Sequence, residues 1–464
     1  MRAAAGALIA ALAWSVALRA HADDVDLIPQ AVRQAAPAPP PAPAPAGAAR
    51  IHLEDALTLW SLRDGLPVPL PGGTPVDAQN RTSLDLQGHW HPGRTLGFSF
   101  SNRLSVTEQN DSSFPSSSNL RNDWREGYFT WEPAARQYLE AGRINLRNGV
   151  ALGFNPTDFF KTRTLLNQVS RDPSAIRENR LGTFMLRGQT IRERGSASLV
   201  YAPRMYERTP IETSPQTGFG TGLDGTNAAD RLLASTSFEL AELAPQLLLY
   251  HEGATTKLGL NLSRVLGKST VLYAEWAVGR TPSLIARALD YGRQTGTLPS
   301  NAPPVLPVDP ASHFQNDLAL GFSWTAAGTL TINAEYLYHQ AGFSRADWRN
   351  WFAAGTAQPG SPAVTGELWY LRAYAANEQE PTTREQLFLR AAWPDALLAH
   401  LELDALGFVN LYDRSALTQL AATYHLSDAW TLGAYLTANL GGRQTEYGSV
   451  PQAHSGTVQL LYYF

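Results

Sequence analysis

Three side chains, His400, Glu402 and Asp404, stand at i, i+2 and i+4, the spacing that puts them on one face of a β-strand. That trio has the make-up of a metal site, but charge satisfied along a polar strand face is the better reading. Gly267-Lys268-Ser269-Thr270 has the tail of a phosphate-binding loop, yet Leu262 stands where the upstream glycine belongs. A hydrolase needs a nucleophile, a base and an orienting group, and no serine of the nucleophile-elbow type occurs. With no cysteine in the chain, thiolate catalysis, disulfides and cysteine metal sites are excluded. The expectation is therefore no enzyme and no cofactor.

A different chemistry is offered by charged residues that alternate with apolar ones. Arg103, Arg143, Asn145, Arg147 and Arg187 fall on polar faces in the first half of the chain. Glu275, Asp317, Glu335, Glu402 and Asp404 fall on polar faces in the second half. If these faces line a lumen, a basic wall faces an acidic one, with Asp85, Glu126 and Arg390 as exceptions. Pairing of these charges with one another is an equal alternative. The segment 149–180 carries Asp158, Phe159, Phe160, Lys161 and Arg163, expected to form a loop that either caps the lumen or folds in as a constriction. The segment 341–382, with Trp348, Trp351, Trp369 and Tyr370, could form a second lid, its aromatics either stacked on sugar rings or, the better reading, buried against the barrel rim.

The elements that would position these groups are strands. Leu318, Leu320, Phe322 and Trp324 oppose Asp317, Ala319, Gly321 and Ser323, a period of 2 that recurs along the chain. Eighteen such segments, from 51–62 and 81–90 to 430–440 and 454–464, are separated by alternately short and long connections. That ordering predicts an all-β fold, a transmembrane antiparallel up-and-down β-barrel of about 18 strands with periplasmic termini. If residues 51–62 were instead a helix or plug, parity would require about 16. Trp90, Trp131, Trp276, Trp324, Trp393, Trp430, Tyr462 and Phe464 are the expected aromatic girdles. A mean hydropathy of −0.22 does not exclude a membrane barrel, because only alternate side chains meet lipid.

The ends carry targeting signals. Residues 1–22 read as a signal peptide: Met1-Arg2, an apolar run from Ala3 to Leu18, and the small-x-small site Ala20-His21-Ala22. Residues 23–49 are an Ala/Pro-rich arm expected to be disordered or extended in the periplasm, and 50–464 is the barrel. The chain has 37 basic and 41 acidic residues, and loss of Arg2 and Arg19 with the leader leaves about −6, which excludes a polybasic nucleic-acid binder. The last strand alternates and stops at Phe464, which resembles the sorting signal read by the outer-membrane barrel-assembly machinery.

Gly142-Arg143 on a strand, then Gly149, then Asn155-Pro156-x-Asp158 resembles a pattern in proteobacterial outer-membrane barrels of unknown function, distantly similar to alginate-export porins. The resemblance covers roughly residues 136 to 160, with Asn148-Gly149 in place of the usual Trp-Gly. It implies a motif placed where strand meets constriction loop, and an Arg-lined pore for an anionic polymer. The expected function is an outer-membrane channel for diffusion or export of small polar, anionic solutes. The alternative is a plugged or gated structural barrel working with a periplasmic partner of the arm. Expected partners are outer-membrane lipid and lipopolysaccharide, the assembly machinery through Phe464, and that periplasmic protein, with no nucleic acid.

Overall fold

The computed structural model describes residues 48–71, 76–110, 119–166, 169–211, 218–240, 242–326 and 329–464. The expected leader 1–22 and all but the last two residues of the expected arm 23–49 lie outside them. Four long strands open the chain: β1 (Ala48–Leu62), β2 (Ala78–Trp90), β3 (Leu96–Gln109) and β4 (Asn119–Ala134). Five shorter ones follow: β5 (Gln137–Ile144), β6 (Thr183–Arg192), β7 (Gly195–Ala202), β8 (Arg231–Phe238) and β9 (Gln246–Glu252). Next come β10 (Thr255–Leu266), β11 (Thr270–Thr281), β12 (His313–Thr325), β13 (Thr331–His339) and β14 (Glu385–Trp393). The wall ends with β15 (Leu401–Asn410), β16 (Ala416–His425), β17 (Trp430–Leu440) and β18 (Gln452–Tyr463). Each strand pairs with its sequence neighbours, and β1 also pairs with β18, so the 18-stranded sheet closes on itself. Closure leaves no edge, which is what a sheet in hydrocarbon requires.

Alternation along the strands divides the side chains between two environments. Outward rows carry half-exposed leucines such as Leu59, Leu199, Leu258, Leu420 and Leu436. An apolar belt of that extent is out of place in water and fits lipid. Trp90, Trp131, Trp324, Trp393 and Trp430 sit at the turn ends of their strands and are exposed, as a girdle requires. Trp276 departs from that expectation: it lies in mid-β11, opposite Leu318, and its indole donates to Asn316 at 3.2 Å. No helix among the described residues is long and apolar enough to cross a membrane.

The connections have two ends of different character. At one end are tight turns, such as Glu193-Arg194 between β6 and β7 and Gly267-Lys268-Ser269 between β10 and β11. At the other end stand the long loops, with Gly253-Ala254 between β9 and β10 as a short exception. The loop after β13 forms two helices, α4 (Arg345–Ala357) and α5 (Pro362–Asn377), and the loop after β11 forms α3 (Leu284–Gln294). Two short helices precede them, α1 (Pro173–Glu178) and α2 (Leu223–Thr226). Ser283, Ser344 and Ser361 cap α3, α4 and α5 through their hydroxyls. Leu284, Leu289, Trp351, Leu368, Leu371 and Ala375 then pack into one apolar core with Val68 of the loop after β1. These helices cover the segment 341–382 together with α3, and in them Trp348 and Trp351 are buried and Trp369 is partly buried.

Candidate functional site: the lumen and its crossing loop

The loop 145–182 leaves β5 and enters the barrel. Its first limb lies against β11 and β13 and presents its backbone N–H groups to two strand carboxylates. Glu275 on β11 accepts from the amides of Val150 (2.9 Å), Ala151 (3.0 Å) and Thr157 (2.7 Å), and from the Thr157 hydroxyl (2.9 Å). Glu335 on β13 accepts from the amides of Leu152 (2.6 Å) and Gly153 (2.8 Å) and from the Tyr273 hydroxyl (2.7 Å). A typical hydrogen bond contributes about 0.5–1.5 kcal/mol net, and several converge here, so this limb is firmly held. The loop then crosses further: the Arg171 amide donates to Gln419 of β16 at 2.9 Å, and Asp172 pairs with Arg390 of β14 at 3.1 Å. Asp172 also caps α1, accepting from the Ser174 amide. A loop rooted at β5 and β6 that touches β11, β13, β14 and β16 spans the lumen.

The residues expected at the constriction are its anchors. Asp158 is buried and accepts both Arg180 Nη1 (2.9 Å) and Nη2 (3.1 Å), tying the outgoing limb to the returning one. Phe159 stacks on Tyr250, centroids 4.6 Å apart, and Phe160 lies under the Arg231 guanidinium at 5.3 Å. Lys161 donates to the Asn155 carbonyl at 2.7 Å and sits over the Phe154 ring at 4.2 Å. Arg163 reaches Glu252 and Glu378, each at 4.0 Å. Arg147 and Glu178 of this loop face open space, 3.8 Å apart and each about 40% exposed.

The other expected lumen residues divide. Arg103 on β3 lines the lumen and pairs with Glu54 at 3.0 Å and Asp85 at 3.5 Å. Arg187 lines it and pairs with Glu140 at 3.0 Å. Asn145 lines it while its amide nitrogen donates to the Arg177 carbonyl at 2.9 Å. Arg143 does not. It is fully buried opposite Gly127 and Phe184, two residues from the row of Ala141, Phe129 and Leu186 that faces outward. There it donates to the Gly182 and Thr221 carbonyls and lies 5.6 Å from the Trp124 ring. Counting strand parity from Arg147 back to Arg143 fails because β5 ends at Ile144. Glu275 and Glu335 face inward but are covered by the loop they hold. Asp317 is bound to His339 at 2.6 Å, Asp404 to Arg390 at 2.6 Å and Glu402 to His425 at 3.3 Å. His400 sits in the turn with φ 68° and donates its amide to Asp395, so it does not converge with Glu402 and Asp404 on a metal.

Below the crossing loop, on the side of the tight turns, lies a cavity of about 1270 Å³. Arg50, Arg81, Arg103, Arg147, Arg177 and Arg187 line it, and so do Glu54, Asp85, Glu126, Glu178, Glu239 and Glu242. The basic-against-acidic division expected of the lumen is therefore replaced by interleaved charge. Its densest part is a network on β1–β4: Arg81 bonded to Glu54, Arg125 to Asp85, and Arg103 to both carboxylates. Sequence reading missed Glu54, Arg81 and Arg125 and treated Asp85 as an exception. The available signal was strand parity, which puts Glu54, Arg81 and Asp85 on the face of Arg103, whereas Arg125 joins them only through a register shift between β3 and β4.

Above the crossing loop sits the helical cap. Arg372 of α5 lies within 5.0–5.5 Å of the rings of Trp348, Trp351 and Trp369 and donates to Ser449 Oγ and the Glu446 carbonyl, each at 2.9 Å. The cap is joined to the crossing loop: the Arg163 amide donates to Asn377 O at 2.9 Å, and Gln379 donates to Thr164 Oγ1 at 2.8 Å. Burial would push the Glu380 carboxyl up, but the Arg287 guanidinium at 2.5 Å and His339 hold it well below the usual range. Burial raises Glu378 and Glu446.

No family model and no curated protein matches the sequence. Solved structures do match in fold. OccK8 (OprE) of Pseudomonas aeruginosa is similar at 10% identity and TM-score 0.51, over 90% of this chain and 98% of that one. OccK5 (OpdH) of the same organism is similar at 9% identity and TM-score 0.50, over 90% and 98%. OccAB3 of Acinetobacter baumannii is similar at 9% and 0.50, over 90% and 99%. At these identities the likeness shows a porin-like 18-stranded barrel and nothing finer.

Proposed function

We propose that this chain is an outer-membrane channel of a Gram-negative bacterium, passing small polar solutes through a lumen narrowed by the loop 145–182. The observation that carries this reading is a closed 18-stranded wall with an apolar exterior around a charged, roomy cavity. A barrel of this strand number encloses more space than its own side chains fill. Solute of either charge meets an aqueous wall, and the crossing loop sets the bore.

A preference for anions is the finer part of the proposal. On β1–β4 three guanidiniums, Arg81, Arg103 and Arg125, stand against two carboxylates, Glu54 and Asp85, with His52 beside Asp85. Asp123 is engaged by Arg121 at 2.7 Å, so the network retains one positive charge in excess. A second reading, a gated barrel, draws support from the cap of α3, α4 and α5, whose apolar core is continuous with the loop after β1.

Planar-bilayer recording of refolded protein in a salt gradient tests both. Discrete steps with a reversal potential on the anion side, moved toward zero by Arg103→Ala, are the expected result. A silent wild type that conducts once Arg287→Ala loosens the cap favours the gated barrel. Silence in both would overturn the channel.

A further inference from the structure

The motif singled out in the sequence, Gly149 through Asp158, is a run of backbone donors, and the wall opposite is shaped to receive it. β12 contributes Ala319 and Gly321 between β11 and β13, in register rows Glu275–Ala319–Leu337 and Tyr273–Gly321–Glu335. These two small residues leave a trough between the taller side chains of β11 and β13. A Cβ on Gly321 would stand 2.6 Å from the Tyr273 ring and 2.8 Å from Glu335, so only glycine lets the Tyr273 hydroxyl reach that carboxylate. Four consecutive amides, 150 to 153, then enter the trough in two pairs, the first to Glu275 and the second to Glu335. Gly149 has φ +96°, and a Cβ there would lie 2.5 Å from the Glu275 oxygens. Thr157 completes the contact, its hydroxyl between Glu275 and Asn261, both 2.9 Å away. Both oxygens of each carboxyl group are engaged by donors of the loop or the wall.

We propose that Glu275 and Glu335 are positioning residues that fix the bore of the channel by clasping residues 150–157 across the lumen. The inference rests on the channel reading and deepens it. Neither carboxylate meets solute; each acts through the loop. The wall, rather than the loop's own sequence, decides how far the constriction projects. The Asp158–Arg180 tie keeps the two limbs together, so release of the clasp frees the segment from the wall while the loop remains folded on itself. The constriction is a fixed ring and not a swinging gate.

Two readouts on the refolded full chain test this. In Glu275→Ala/Glu335→Ala, and independently in Gly149→Ala, which disturbs the same contact from the loop side, amides 150–153 and 157 should lose protection from hydrogen exchange. Single-channel conductance and the largest polymer that still lowers it should both rise, with heat-modifiable migration showing an intact barrel. Gln is no substitute at position 275, since its amide would meet N–H groups with N–H groups. Unchanged protection and conductance in folded variants would overturn the clasp. If the wild type does not conduct at all, the channel reading fails, while the exchange measurement still decides the clasp.

Discussion

At the scale of single residues, the lumen is governed by which charges are already spoken for. Asp158 and Arg180 are each about 1% exposed and meet through two oxygens and two guanidinium nitrogens. Removing one partner of such a pair leaves an uncompensated buried charge and costs about 3–5 kcal/mol, while replacing both costs less. Arg180→Ala is therefore expected to lower the urea midpoint of unfolding more than Arg180→Leu/Asp158→Leu, and equal losses would refute the coupling. Asp158→Asn should raise the anion preference read from the reversal potential, because the carboxylate lies 3.7 Å from Arg177, which lines the cavity. This residue also marks a limit of sequence reading. Its presence in a functional loop was legible from Asn155-Pro156-x-Asp158, but its role as a tie depends on Arg180, which approaches only once the loop has doubled back. Arg143 was misplaced for a related reason, since alternation assigns a face only as far as the strand continues.

At the scale of elements, the cap shows how opposed titrations combine. Glu380 has its folded pKa depressed, so its tie to Arg287 and His339 is present above the ordinary carboxylate value of 4.5 and fades only as pH falls through a value well below it. Glu378 and Glu446 are raised, so their burial grows easier as pH falls toward and through that range. From pH 7 to about 5 the cap should hold or tighten, and it should loosen only in stronger acid. Limited proteolysis of the segments 282–312 and 340–384 across pH reads this directly. Earlier cleavage at pH 5 than at pH 7 would contradict it, and Arg287→Ala should move the loosening to higher pH. The strands themselves were legible to within a few residues, because alternation and turn residues are local signals. The predicted strand 430–440 coincides with β17, and 51–62 lies within β1. The crossing of the lumen was not legible, since it depends on Ala319 and Gly321 leaving a trough, which only sheet register brings opposite Gly149–Thr157.

At the scale of the whole molecule, the question is whether selectivity comes from a diffuse field or from contact. Six arginines of the cavity wall face six carboxylates, and Arg125, paired with Asp85, adds the one positive charge in excess to the network on β1–β4. A field from so small an excess is screened over a Debye length of about 10 Å at 0.1 M salt and about 3 Å at 1 M. If the anion preference is a field effect, the permeability ratio read from reversal potentials should be clear at 0.1 M and collapse toward unity at 1 M. If instead solute anions touch the guanidiniums, the ratio should persist at high salt and depend on the size of the anion. The geometry favours the field: Arg81, Arg103 and Arg125 are each 5% exposed or less, and their nitrogens already face Glu54 and Asp85. Collapse at 1 M is thus the expected outcome. Arg147 provides the counter-test, because it is about 40% exposed and its nearest carboxylate, Glu178, is 3.8 Å away. Arg147→Ala should reduce anion preference at 0.1 M, and a preference surviving at 1 M in the wild type but lost in this variant would move the selective contact to the rim of the crossing loop.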